Sequence, residues 1–184
     1  MAKYDVIVLC ASPLISGNSA KIAAEIVKNC ETAGKKVHTI FLNKTENLRG
    51  CQSCYGCKKA GHCVVKDGTA PILDEIREAE AIVLATPTYF GEAAAQLRLV
   101  TDRFFSFLSG DFKCNLAPGK KAAVVVSCGS GYDGAVALGD KLLKQCGMCG
   151  FTPVGKIVVA DKEMKQQTDT PEVQAEAKKL AAQL

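Results

Sequence analysis

The chain has 184 residues, 48% hydrophobic and 23% charged, with a formal charge of +4. That length suits one domain, 1–184, with a full core, and the balance excludes a disordered or fibrous chain. The charge is modest, and the pairs Lys35-Lys36 and Lys120-Lys121 read as solvated ends of elements, so no nucleic-acid partner is expected.

Lys3 to Cys10 reads as a buried strand, with Val6–Leu9 as a continuous apolar run. This run is too short for a signal peptide, and no stretch approaches a membrane-spanning length. A cytoplasmic protein without a membrane partner is expected, in which thiols stay reduced. A turn-rich loop, 11–19, leads into a helix that carries Ile22, Ala23, Ile26, Val27 and Cys30 on one face and stops at Gly34. Lys36 to Leu42 is a second strand. Thr69 reads as an N-cap with Pro71 just inside the next helix. Ala81 to Thr86 is a third strand, followed by the loop 87–91 and a long helix with Leu97, Val100, Phe104, Phe107 and Leu108 at helical spacing. Ala122 to Ser127 and Lys156 to Ala160 are strands four and five, with a helix between them and a last helix from Thr170-Pro171. Five strands alternating with helices call for a parallel sheet covered on both faces.

Ten cysteines are many for such a chain, and four of them form one run, Cys51, Cys54, Cys57 and Cys63, in a C-x2-C-x2-C-x5-C spacing. Successive thiols at steps of three suit an iron–sulfur loop. A disulfide knot, free thiols, or zinc are the other readings, although zinc sites usually split their ligands into two distant pairs. Lys58 and Lys59 would favour the thiolate form. Cys146 and Cys149 make a second C-x2-C at a helix end, where packing as small hydrophobes is the simpler account. His38 and His62 read as structural and solvated respectively.

Ligands of a parallel sheet bind beyond the carboxyl ends of its strands. Loop 11–19 offers a helix N-terminus with Ser12, Ser16, Gly17, Asn18 and Ser19, suited to a phosphate held by neutral donors. It lacks the triphosphate loop ending and the three-glycine dinucleotide fingerprint. A plain helix cap reads the same residues equally well. Pro87, Thr88, Tyr89, Phe90 and Gly91 could edge a flat ligand, with Phe90 as readily tucked under the sheet. Ser127 and Gly129, in the turn after strand four, could form a third wall or simply a βα turn.

Ala11-Ser-Pro13 with Ser16–Ser19, the cysteine run, Thr86–Gly91, Gln96–Arg98 and Thr101–Arg103 together resemble the flavodoxin-like NAD(P)H-dependent FMN reductases, and within them the iron–sulfur flavoproteins. The resemblance spans roughly residues 3 to 135. It implies an α/β, flavodoxin-like three-layer sandwich with a five-stranded parallel sheet of order 2-1-3-4-5, binding FMN without a covalent bond. By it, Ser12, Ser16, Asn18 and Ser19 hold the phosphate and residues 87–91 edge the ring. The four cysteines of the 51–63 loop hold one 4Fe-4S cluster, NAD(P)H is the electron donor, and a small molecule or protein is the acceptor. It also implies a homodimer or homotetramer with the flavin near a subunit contact. Leu14 and Ile15 stand where relatives often carry a basic residue, and Asp67-Gly68 where they often carry paired acids. An FMN reductase without a cluster and an electron carrier without its own substrate are the alternative functions.

Overall fold

A computed structural model describes residues 3–161 and 168–184. The strands are β1 (Val6–Cys10), β2 (Val37–Phe41), β3 (Ala81–Tyr89), β4 (Glu92–Ala93), β5 (Lys121–Cys128) and β6 (Thr152–Ala160). The helices are α1 (Asn18–Thr32), α2 (Gly56–Ala60), α3 (Ala70–Glu78), α4 (Ala95–Thr101), α5 (Tyr132–Met148) and α6 (Pro171–Ala181), with 3-10 turns at Leu42–Lys44 and Asp102–Phe107. The sheet runs β2-β1-β3-β5-β6, all parallel, and two-residue β4 folds back antiparallel on β3. Without β4 this is the expected order 2-1-3-4-5, and the architecture is flavodoxin-like.

Alternation along the strands sends side chains into two cores. Ile7 and Leu9 of β1 join the side packed by α3, α4, the 102–107 turn and α5; Val6 and Val8 join the side packed by α1 and α6. Burial of such aliphatic side chains contributes about 1.5–3 kcal/mol each, enough to hold both helical layers on the sheet.

Three expectations are corrected by local chemistry. The helix after residue 91 does not continue through Leu108: α4 ends at Thr101 and a 3-10 turn follows. Its three-residue period aligns Phe104 with Phe107 on the core and Arg103 with Ser106 beside it, all four buried. Thr69 does not cap α3 with its side chain. Asp67 Oδ1 accepts from the Thr69 and Ala70 amides at 3.0 and 3.1 Å, while the Thr69 hydroxyl bonds Arg49. Lys120 is not a solvated end: it is buried, and its Nζ donates to the Ala79 carbonyl at the end of α3. His38 is structural, with Nδ1 2.6 Å from Glu75 Oε2 and its ring stacked on Tyr4.

Chain order places β1 between β2 and β3, so the direction of winding switches there. Beyond the carboxyl ends of β1, β3 and β5 the loops separate and leave a cleft.

Candidate functional site

The cleft encloses about 330 Å³ and is lined by Ser12, Pro13, Leu14, Gly17, Asn18, Pro87, Thr88, Tyr89, Ser127, Cys128, Gly129 and Asp161. Segments some hundred residues apart in sequence thus form one wall set, from β1, β3 and β5. Of the expected residues, Ser12, Gly17, Asn18, Pro87, Thr88, Tyr89, Ser127 and Gly129 are brought together. Ser16, Ser19, Phe90 and Gly91 do not line it.

The first wall is a turn that delivers the open end of α1. Ser12 Oγ donates to the Leu14 carbonyl at 2.7 Å and accepts from its amide, which curls the chain back. Gly17 precedes the helix with no side-chain cap, and no acidic residue sits in the first turn. A Cβ at Gly17 would stand 2.6 Å from Ser12 Oγ and 3.1 Å from the Leu14 oxygen. A side chain at this position would crowd the turn that leads into α1. Ser19 Oγ is buried without a hydrogen-bond partner among the described residues. Uncapped amides, a glycine approach and an orphaned hydroxyl fit an anion such as a phosphate.

Asp161, the first residue after β6, was not anticipated. Its carboxylate accepts from Asn18 Nδ2 and, at 3.3 Å, from Thr168 Oγ1, and it faces the same cleft. The signal for it was position alone, at the carboxyl end of the last strand.

The second wall is a hairpin. Thr88 pairs with Ala93 and Tyr89 with Glu92, leaving Phe90 and Gly91 as a two-residue turn with φ of 53° and 79°. Both residues are left-handed, which suits a hairpin but strains Phe90. Thr86 Oγ1 accepts from the Ala94 amide at 3.0 Å and donates to the Pro87 carbonyl, locking the hairpin root. Phe90 is fully exposed and not tucked under the sheet. Tyr89 and Pro13 also line an adjoining groove of about 690 Å³ with Ala95, Gln96, Leu99 and Asp102.

Asp102 in turn borders a third hollow, shared with Cys51, Ser53, Tyr55 and Phe105, so the groove leads from the cleft to the cysteine run. Cys51 and Cys54 are exposed, Cys63 is half-buried and Cys57 is buried. Burial pushes the Cys57 thiol up; Lys58 pulls it down, and Cys63 and Cys51 push it up further. Their sulfurs are therefore electrostatic neighbours. Lys58 has a second task, since its Nζ donates to the Phe105 and Leu108 carbonyls at 2.7 Å and lies 3.5 Å over the Phe105 ring. Four thiols with these neighbours fit an iron–sulfur cluster in donor chemistry. Among the described residues no three Cys, His, Asp or Glu side chains converge on one metal position. Cys146 and Cys149 lie apart, buried, with thiols pushed up by burial to about 12 and about 11. They pack as small hydrophobes.

A family model described as NADPH-dependent FMN reductase matches residues 4–166. An iron-sulfur flavoprotein of Methanocaldococcus jannaschii is 35% identical over 98 residues, covering 53% of this chain and 50% of that protein. The match thus spans half the length of that relative. An iron-sulfur flavoprotein of Archaeoglobus fulgidus is 26% identical over 175 residues, 90% of this chain and 76% of that protein. The solved FMN-dependent NADH-azoreductase of Bacillus anthracis, in complex with FMN, superposes with a TM-score of 0.73 at 12% identity, covering 97% of each chain, and so shares the fold. The match across most of its length, on a flavodoxin-like sheet, places the chain in the NADPH-dependent FMN reductase family, a family of oxidoreductases.

Proposed function

We propose that the chain binds FMN in the rim cleft and passes electrons from NAD(P)H to a small-molecule or protein acceptor, with Cys51, Cys54, Cys57 and Cys63 as ligands of a 4Fe-4S cluster. The observation that carries the reading is the meeting of the uncapped α1 end, the Tyr89 hairpin and the Ser127–Gly129 turn in one cleft. In it, Gly17, Asn18 and the α1 amides receive the phosphate, and Ser12 shapes the turn. Ser19 offers an unpaired hydroxyl just behind. Pro87, Thr88 and Tyr89 flank the ring, with Ser127 and Gly129 closing the far side. Bound FMN supplies hydride acceptance from the nicotinamide and release of electrons one or two at a time. The cluster would supply one-electron storage beside it. The groove past Tyr89, Gln96 and Leu99 provides room for a second reactant.

Leu14, Ile15, Tyr89 and Phe90 crowd the mouth with exposed apolar surface. This supports a homodimer or homotetramer that covers the flavin, because such patches on soluble chains mark contact surfaces. No described helix is long and apolar enough to cross a membrane. No disulfide joins the cysteines of the described residues, which supports a reducing, cytoplasmic setting.

Anaerobic titration of the FMN-loaded protein with NADPH and NADH tests the reading. Rapid bleaching of the flavin band supports a reductase; a flavin that stays oxidised with both donors supports an electron carrier. Stoichiometric iron and sulfide after anaerobic preparation supports the cluster, and titratable thiols without iron leave the plain reductase.

A further inference from the structure

We infer that Arg103 is the positioning residue of the cysteine loop: it ties the two ends of the loop together and orients the Cys63 sulfur. Its side chain and that of Asp67 are both only 1% exposed and meet at 2.8 Å. All five guanidinium hydrogens have a matching acceptor contact. Nη1 donates to Asp67 Oδ2 and to the Arg49 carbonyl at 3.1 Å, just before the loop. Nη2 donates to Cys63 Sγ at 3.0 Å and to the Val65 carbonyl at 3.3 Å, at its end. Nε gives Cys63 Sγ a second bond at 3.2 Å.

Stability alone is a poor account of this arrangement. A buried ion pair brings little net stabilisation over an apolar pair of the same shape. Two of the five hydrogens are also given to a sulfur, a weaker acceptor than the carbonyls around it. The fork instead sets a distance between Arg49 and Val65 and aims one thiol. Lysine cannot reproduce this, having one nitrogen and no planar fork. The 102–107 turn that presents Arg103 also presents Phe105, whose carbonyl holds Lys58 in the middle of the loop. One short element, continuous with α4, therefore holds the middle and the end of the cysteine run. The clamp stands independently of any metal; its consequence for a cluster rests on the function proposed above. Hydrogen bonds to a ligand sulfur favour the more negative, reduced cluster, so Arg103 would raise its potential.

The test uses two variants, Arg103→Lys, and Arg103→Met combined with Asp67→Asn, which removes both charges and strands neither. Amide hydrogen exchange is followed by mass spectrometry in the metal-free protein, with FMN affinity as a check on the sheet. Exchange across 49–66 should quicken about tenfold or more in both variants, while β1, α1 and FMN binding stay as in the wild type. Iron retained after anaerobic reconstitution should fall about tenfold, and any residual cluster should be reduced at a lower potential than in the wild type. Unchanged loop exchange in both variants overturns the inference. So does exchange that quickens equally over the whole sheet, which would make Arg103 an ordinary core residue. A loosened loop in variants of a protein that never takes up iron upholds the clamp and removes the cluster.

Discussion

Asn18 and Asp161 meet across the mouth of the cleft, a neutral donor against a carboxylate. A bound phosphate would compete for Asn18 and would sit near the Asp161 charge. Asn18→Asp sets two carboxylates facing each other and the phosphate, and should weaken FMN binding at least tenfold, about 1.4 kcal/mol, in a fluorescence titration. Asn18→Ala should cost less, and Asp161→Asn should leave binding equal or tighter. Equal affinity in wild type and Asn18→Asp would remove Asn18 from the site. Gly17→Ala tests the approach to the helix end: the added methyl meets Ser12 Oγ at 2.6 Å, so FMN affinity should drop by roughly tenfold with only a small change in melting temperature. At this scale the sequence was readable where a residue sits in a turn of distinctive composition, as Ser12, Gly17 and Asn18 do. Asp161 was missed because nothing local marks it, and Arg103, though within the Thr101–Arg103 stretch that carries the resemblance, was given no role of its own. A lone carboxylate after a strand and an arginine within a helical pattern both look like solvated surface until the fold supplies their partners.

The Tyr89–Glu92 hairpin and the 102–107 turn carry the structural decisions that connect the two sites. Phe90 holds a left-handed φ of 53° while fully exposed, so its side chain contributes little packing within this chain. Phe90→Asn should therefore keep or raise unfolding stability, by up to about 1 kcal/mol, and should weaken self-association if the cleft mouth is a subunit contact. Phe104→Ala, which empties a buried position in the same region, should cost about 3–5 kcal/mol in the same urea titration. At the end of α5, burial raises the Cys146 thiol from its ordinary 9.0 to about 12. A thiol raised on folding favours the folded state fully below the unfolded value, and that contribution is lost as pH climbs from about 9 towards 12. Stability measured across that window should fall, and Cys146→Ala should flatten the fall. Continuous apolar runs located β1, β3 and β5, since burial on both faces leaves no polar alternation. Periodicity did not locate the break after Thr101, because Phe104 and Phe107 fit helical and 3-10 periods alike. Arg103 lies in the 3-10 turn just past the break, and from there it reaches Asp67 and Cys63.

On the scale of the molecule, one sheet places a cleft at the winding switch and a cysteine loop after β2 on the same rim, joined by the groove along Tyr89, Leu99 and Asp102. Helix–strand alternation was enough to read this layout from the chain. The arrangement of the four thiols was less legible, because spacing states which cysteines are near in sequence and not whether they converge in space. The proposed function requires the rim cleft to be a phosphate-anchored flavin site. Comparing FMN with riboflavin by titration of the flavin-free protein tests it directly, since the two ligands differ only in the phosphate. FMN should bind tighter by about a hundredfold or more, a difference of roughly 2.7 kcal/mol supplied by the α1 end and Asn18. Equal affinity for the two flavins, or no binding of either, would contradict it.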